Sequence, residues 1–186
     1  TANNSTYAEA SARSTLYVMA LSSSLVATGF VAGRTEILLP FAAIVLPAVF
    51  VLGVFTVIRL VENALESMHC LTGIARIRAH YGSLGSEAAR LLSAESGRWP
   101  EAEAPALRFG PALAFFGTTA SMIAVINNVV AGVGIALLTW FLSPFAPSWV
   151  YAVAGSAAAL TLTWLFYKYQ RWRFDDYDAQ GAAKGA

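Results

Sequence analysis

The chain has 186 residues, of which 57% are hydrophobic and only 12% carry a charge. That balance excludes an ordinary soluble domain, and a net charge of +1 leaves no electrostatic case for nucleic acid as a partner. A single cysteine, Cys70, excludes an intrachain disulfide and any CxxC motif.

Residues 1–13 are small and polar, with no basic stretch leading into a cleavage site, so no removable signal peptide is expected. The first apolar block, 15–32, is 18 residues long and uncharged, which is enough for a membrane span. Ser22, Ser23 and Ser24 at its centre suit close helix packing better than contact with lipid. A short turn, Gly33-Arg34-Thr35-Glu36, leads into the second span, 37–58, which passes through Pro40 and Pro47.

No proline interrupts 48–81, so this span is expected to continue into the cytoplasm as one helix, 59–81. At 1.5 Å per residue the run 48–81 is on the order of 50 Å long, against a hydrocarbon core of ~30 Å. Its extension carries a narrow polar stripe, Arg59, Glu62, Glu66, His69, Gly73, Arg76 and His80, in steps of three and four residues that keep one helical face aligned. Val61, Leu65, Met68, Leu71, Ile74 and Ile77 cover most of the remaining circumference.

Residues 82–108 form the substantial hydrophilic stretch. Ser86 followed by EAARLL reads as an N-capped short helix, and Pro100 and Pro105 as a loop back to the membrane. The third apolar block, 111–142, is 32 residues long without a charge, so it tilts, kinks or starts on the membrane surface. An uncharged turn at 143–148 joins it to the fourth, 149–167, whose centre is built of small residues. That block ends in YKYQRWRF, an aromatic-basic interface anchor, and the tail 175–186 is expected to be disordered.

The reading is therefore all-α: a single four-span transmembrane domain over 1–174, a four-helix bundle whose second membrane helix extends into the cytoplasm. With both termini and 59–108 placed in the cytoplasm, all of the 12 lysines and arginines except Arg34 lie inside. This is the charge asymmetry expected of a bacterial plasma-membrane protein, and Trp140 and Trp149 bracket the outer turn.

Several membrane chemistries lack their residues. Haem ligation needs histidines within spans, but His69 and His80 both lie on the extension. No span holds a lysine for a Schiff base, no aspartate precedes Asp175, and no Gly-rich phosphate loop, HExxH or GxSxG occurs. The chain is not expected to be an enzyme or to need a cofactor.

Three constellations remain. Glu66 and His69 form a Glu-x-x-His pair, a pattern used by carboxylate-bridged metal sites, but the chain offers no second such pair. The simpler alternative is a solvated stripe with local pairing such as Arg59–Glu62 and Glu66–His69. Arg59, Glu62, Glu66, His69, Arg76 and His80 together would line a cytoplasmic vestibule if several copies turned the stripe toward an axis, because charged rings select ions. The other outcome is the same helix lying on the membrane with its stripe facing the cytosol. Asn127 and Asn128 lie near the centre of the third span, with Ser121, Asn128 and Gly132 on one face. An amide in hydrocarbon must hydrogen-bond, so these residues form either a helix–helix contact or a polar ring in a pore.

The run FTVIRLVENALESMHCLTGIARIRAHY, with LPAVFVLGVF before it and SMIAVINNVVAG later, resembles a group of small four-span bacterial inner-membrane proteins of uncharacterised function. The resemblance covers most of residues 10–140 and implies the four-span fold. It carries no activity and no functional residue onto this chain.

The leading expectation is a homo-oligomeric membrane protein forming an ion channel or small-solute pore, with the bilayer and its own copies as partners. The alternative is a non-catalytic accessory, effector or sensor subunit that docks another membrane protein.

Overall fold

A computed structural model of the chain describes residues 2–85, 87 and 118–185. The short helix and loop expected over 86–108 and the start of the third block, 111–117, lie outside the described residues, apart from Glu87. Within the described residues the protein is all-α, with four helices: α1 (Ala2–Val31), α2 (Thr35–Gly82), α3 (Thr119–Leu142) and α4 (Ser148–Gly185). Each of the four is long and apolar enough to cross a membrane, which supports a four-span membrane protein.

Local chemistry sets the boundaries. Gly33 and Arg34 break α1 from α2, and Glu36 in the first turn of α2 favours its positive N-terminal dipole. Pro40 and Pro47 are both accommodated inside α2, which runs unbroken for 48 residues, about 70 Å at 1.5 Å per residue. The helix stops at Ser83, whose backbone N–H bonds the Ala79 and His80 carbonyls at 3.1 Å. At the start of α3, the Thr118 hydroxyl caps the helix by accepting from the Ser121 N–H at 3.2 Å. Tyr151 of α4 reaches back to the Ser143 and Ala146 carbonyls at 2.8 Å, closing the α3–α4 turn.

The helices pack in chain order: α1 on α2, α2 on α3 and α3 on α4, with α4 also touching α2. The core is small and lies where α2 meets the start of α3, with Val57, Leu60, Val61 and Leu65 against Ala120, Ile123 and Ala124. Tyr17 brings α1 into it, and Phe166, Tyr169, Phe174 and Tyr177 bring α4. Most other apolar side chains of the spans, such as Phe30, Ile44 and Leu160, point outward, as a lipid-facing surface requires.

Two contacts are possible only because of glycine. A Cβ on Gly132 would lie 2.6 Å from the Gly155 carbonyl oxygen, and one on Gly155 would lie 2.7 Å from that of Gly132. Ala136 and Ala159 sit one turn further along on the two helices, so α3 and α4 cross backbone to backbone on a small-residue face. Gly53 of α2 makes the second contact, discussed below.

Within the chain, Ser22 and Ser23 are exposed, and the Ser24 hydroxyl donates to the Ala20 carbonyl of its own helix. Beyond Asp175 α4 continues as helix through Gly185, and Phe174 and Tyr177 pack against the core at the start of this stretch.

Candidate functional site

The polar stripe on α2 divides into two parts. Its upper part is engaged by the other helices. The Arg59 guanidinium donates from Nε and Nη2 to the two carboxylate oxygens of Glu9 on α1, at 3.0 and 3.2 Å. Glu9 also accepts from Arg13, one turn along α1, at 2.8 Å. Arg173 of α4 donates to Glu62 Oε1 from Nη2 at 2.6 Å and from Nε at 3.1 Å. Neither pair is fully buried, so each contributes only modestly to stability. Their geometric effect is larger, because they join three helices at one level.

Tyr177, one turn beyond Arg173 on α4, completes the arrangement. Its ring meets the His69 imidazole edge to face, with centroids 4.6 Å apart, and its hydroxyl lies 3.1 Å from that of Thr72. Between these contacts is a cleft of about 220 Å³, lined by Arg59, Glu62, Leu65, Glu66 and His69 of α2 and by Arg173, Asp176 and Tyr177 of α4. It carries charges of both signs and is open to the surface. The lower part of the stripe, Arg76 and His80, is exposed and lies beyond the cleft. The local pairing of Arg59 with Glu62 is replaced by pairing to α1 and α4. Glu66 and His69 share the cleft wall, and among the described residues no third His, Cys, Asp or Glu joins them in a metal-holding group.

Asn127 and Asn128 of α3 form a second polar set, and both are used inside the chain. Asn127 is buried; its Nδ2 donates to the Phe50 carbonyl of α2 at 3.1 Å, and its Oδ1 accepts from the Tyr17 hydroxyl of α1 at 3.3 Å. Its amide fills the space a side chain on Gly53 would need, so α2 must carry glycine there. Asn128 donates to the Thr163 hydroxyl of α4 at 3.2 Å, and the Ser121 hydroxyl donates to Gln170 Oε1 at 3.2 Å. These bonds give α3 its contacts on both sides: Asn127 toward α1 and α2, Asn128 and Ser121 toward α4. Below Asn127 and Asn128 lies an apolar cleft of about 270 Å³ between α2, α3 and α4.

One amide is left over. Asn63 of α2 is buried, and neither its Nδ2 nor its Oδ1 has a hydrogen-bond partner among the described residues.

The sequence offered no reason to single out Glu9, Tyr17 or Tyr177, and it marked Arg173 only as part of a basic interface anchor. The one visible signal was the spacing of Gln170, Phe174 and Tyr177, which puts three anchoring side chains on one face across the end of YKYQRWRF and the start of the tail. No protein-family model matches the chain, and comparisons with curated proteins and with solved structures return no match.

Proposed function

We propose that the chain is a homo-oligomeric integral protein of a bacterial plasma membrane that passes ions or small solutes, with both termini and the far end of α2 in the cytoplasm. In this reading the second span extends from the bilayer into the cytosol, and the charged cleft lies at its inner mouth. The observation that carries the proposal is that cleft: Glu66 and His69 face an open space beside two ion pairs, where a permeating ion would meet fixed charge. The satisfied asparagines support a path between copies rather than through one chain, since the polar groups inside the bundle are committed to helix packing. Arg76 and His80, exposed beyond the cleft, would extend the charged wall into a vestibule.

Reconstitution into liposomes tests this directly. Flux of a monovalent ion should depend on the protein, and Glu66→Lys should shift the cation-to-anion ratio. A reconstituted oligomer that passes no ion or small solute over a range of voltage, pH and salt would end the reading.

The non-conducting alternative, an accessory, effector or sensor subunit, is favoured by one observation. Ile74, Ile77 and Tyr81 lie exposed on the α2 extension, where lipid does not explain them. Recovery of one other membrane protein at constant stoichiometry, together with absent flux, would decide for it.

A further inference from the structure

The apolar cleft and the charged cleft follow one another along α2 and α4. Val54, Val57 and Ile58 of α2 and Leu162, Phe166 and Tyr169 of α4 wall the first; Glu62 and Glu66 of α2 and Arg173 and Asp176 of α4 wall the second. On α4 these residues are spaced by three or four, so both clefts use one face of the helix. On α2 Ile58 is followed one turn later by Glu62. Tyr169 links the two: its ring lines the apolar cleft, and its hydroxyl bears on the Arg173 guanidinium of the charged one. Ile58 and Leu165, both lining the apolar cleft, are 41% and 49% exposed, so that cleft opens toward the lipid-facing surface.

The chemistry has the same order along both helices. On α2, Ile58 is followed by Arg59 and then Glu66; on α4, Tyr169 is followed by Arg173 and then Asp176. Hydrocarbon, guanidinium and carboxylate in that order match the acyl chain, phosphate and ammonium of a phospholipid whose headgroup ends in a primary amine. We infer that the two clefts together hold one such lipid, its acyl chain in the apolar cleft, its phosphate beside Arg173 and its ammonium against Glu66 and Asp176. The inference names a ligand for the cleft of the proposed function and rests on that cleft lying at the edge of the bilayer, not on conduction.

Charge complementarity selects this headgroup. Four carboxylates, Glu9, Glu62, Glu66 and Asp176, meet two guanidiniums, Arg59 and Arg173, so the site favours a ligand that brings a cation. Arg173 gives Nε and Nη2 to Glu62, while its Nη1 lies 3.7 Å from Asp176, beyond hydrogen-bond distance, and is placed to donate to a phosphate oxygen. Asp176 is three residues past Arg173, about 4.5 Å of helical rise, the scale of a two-carbon link between phosphate and ammonium. An anionic lipid would set its phosphate beside these carboxylates without an ammonium, and a trimethylated amine has no N–H to donate to them.

The test is native mass spectrometry of the full chain, stripped of lipid in mild detergent and titrated with one dioleoyl lipid at a time: phosphatidylethanolamine, phosphatidylcholine or phosphatidylglycerol. One phosphatidylethanolamine per chain should be held at least fivefold more tightly than either of the others. Glu66 is exposed, so Glu66→Gln should leave the fold intact and bring phosphatidylethanolamine down to the level of phosphatidylcholine. Soluble phosphoethanolamine in large excess should not displace the lipid, because it leaves the apolar cleft unfilled. Equal retention of the three lipids, tighter phosphatidylglycerol, an unchanged preference in Glu66→Gln, or displacement by soluble phosphoethanolamine would each overturn the inference. Ion flux into liposomes, measured separately, tells the two readings apart: flux without the lipid preference overturns only the lipid site, and the preference without flux supports the lipid site and ends only conduction.

Discussion

Asn127 and Gly53 are fitted to each other: the amide on α3 occupies the volume that any side chain at position 53 of α2 would fill. The same amide holds the Phe50 carbonyl and the Tyr17 hydroxyl, so one residue fixes the spacing of three helices. Gly53→Ala should therefore displace Asn127 and cost about 1–3 kcal/mol as an overpacked contact. A lowered unfolding midpoint in detergent checks this, and Gly29→Ala, where a Cβ meets open space, is the matched control.

The two asparagines should differ. Asn127→Leu breaks bonds to α1 and α2 together, and Asn128→Leu removes one bond to Thr163 of α4. Interhelical hydrogen bonds of this kind contribute ~0.6–2 kcal/mol each, so Asn127→Leu should be the more destabilising. Tyr17→Phe should reproduce part of its effect. Thermal unfolding of the three variants gives the ranking; a larger loss from Asn128→Leu would contradict it.

Asn63 predicts a gain rather than a loss. Its buried amide has been stripped of water without acquiring a partner among the described residues. Replacing such a group by an apolar side chain of similar size relieves a desolvation cost of about 1–3 kcal/mol. Asn63→Leu should raise the unfolding midpoint, and a drop would show that the amide is satisfied by a group not described here.

The far end of α4 should be releasable without unfolding the spans. Tyr177→Ala removes the contacts to His69 and Thr72, and Arg173→Glu opposes Glu62 with a like charge. Both should speed amide hydrogen exchange over residues 170–177 severalfold while leaving α3 protected. Combining Arg173→Glu with Glu62→Arg should restore protection by reversing the pair. Unchanged exchange in the single variants would mean that α4 is held by something other than this cleft.

The four helices were legible because long apolar runs and their charge boundaries act locally along the chain. The continuity of α2 was legible for the same reason, from the absence of proline over 48–81. The partners of the stripe were not. Glu9 lies 50 residues from Arg59, and Arg173 lies 111 residues from Glu62, so their meeting depends on the relative height of helices that no local pattern records. Residues Arg59 and Glu62, one turn apart, satisfied each other in a single-helix reading, and only packing revealed better-placed partners. The helical course of α4 past Asp175 was not legible, because the composition there is small and polar and Tyr177 is its one aromatic residue.

The unbroken course of α2 has a mechanical consequence. With no hinge between its membrane portion and its far end, the helix behaves as a lever whose two arms move together. A tilt of a few degrees within the bilayer becomes a displacement of several ångström at Tyr81. In the other direction, a load at Tyr81 is delivered to Gly53 and Asn127 within the helix bundle.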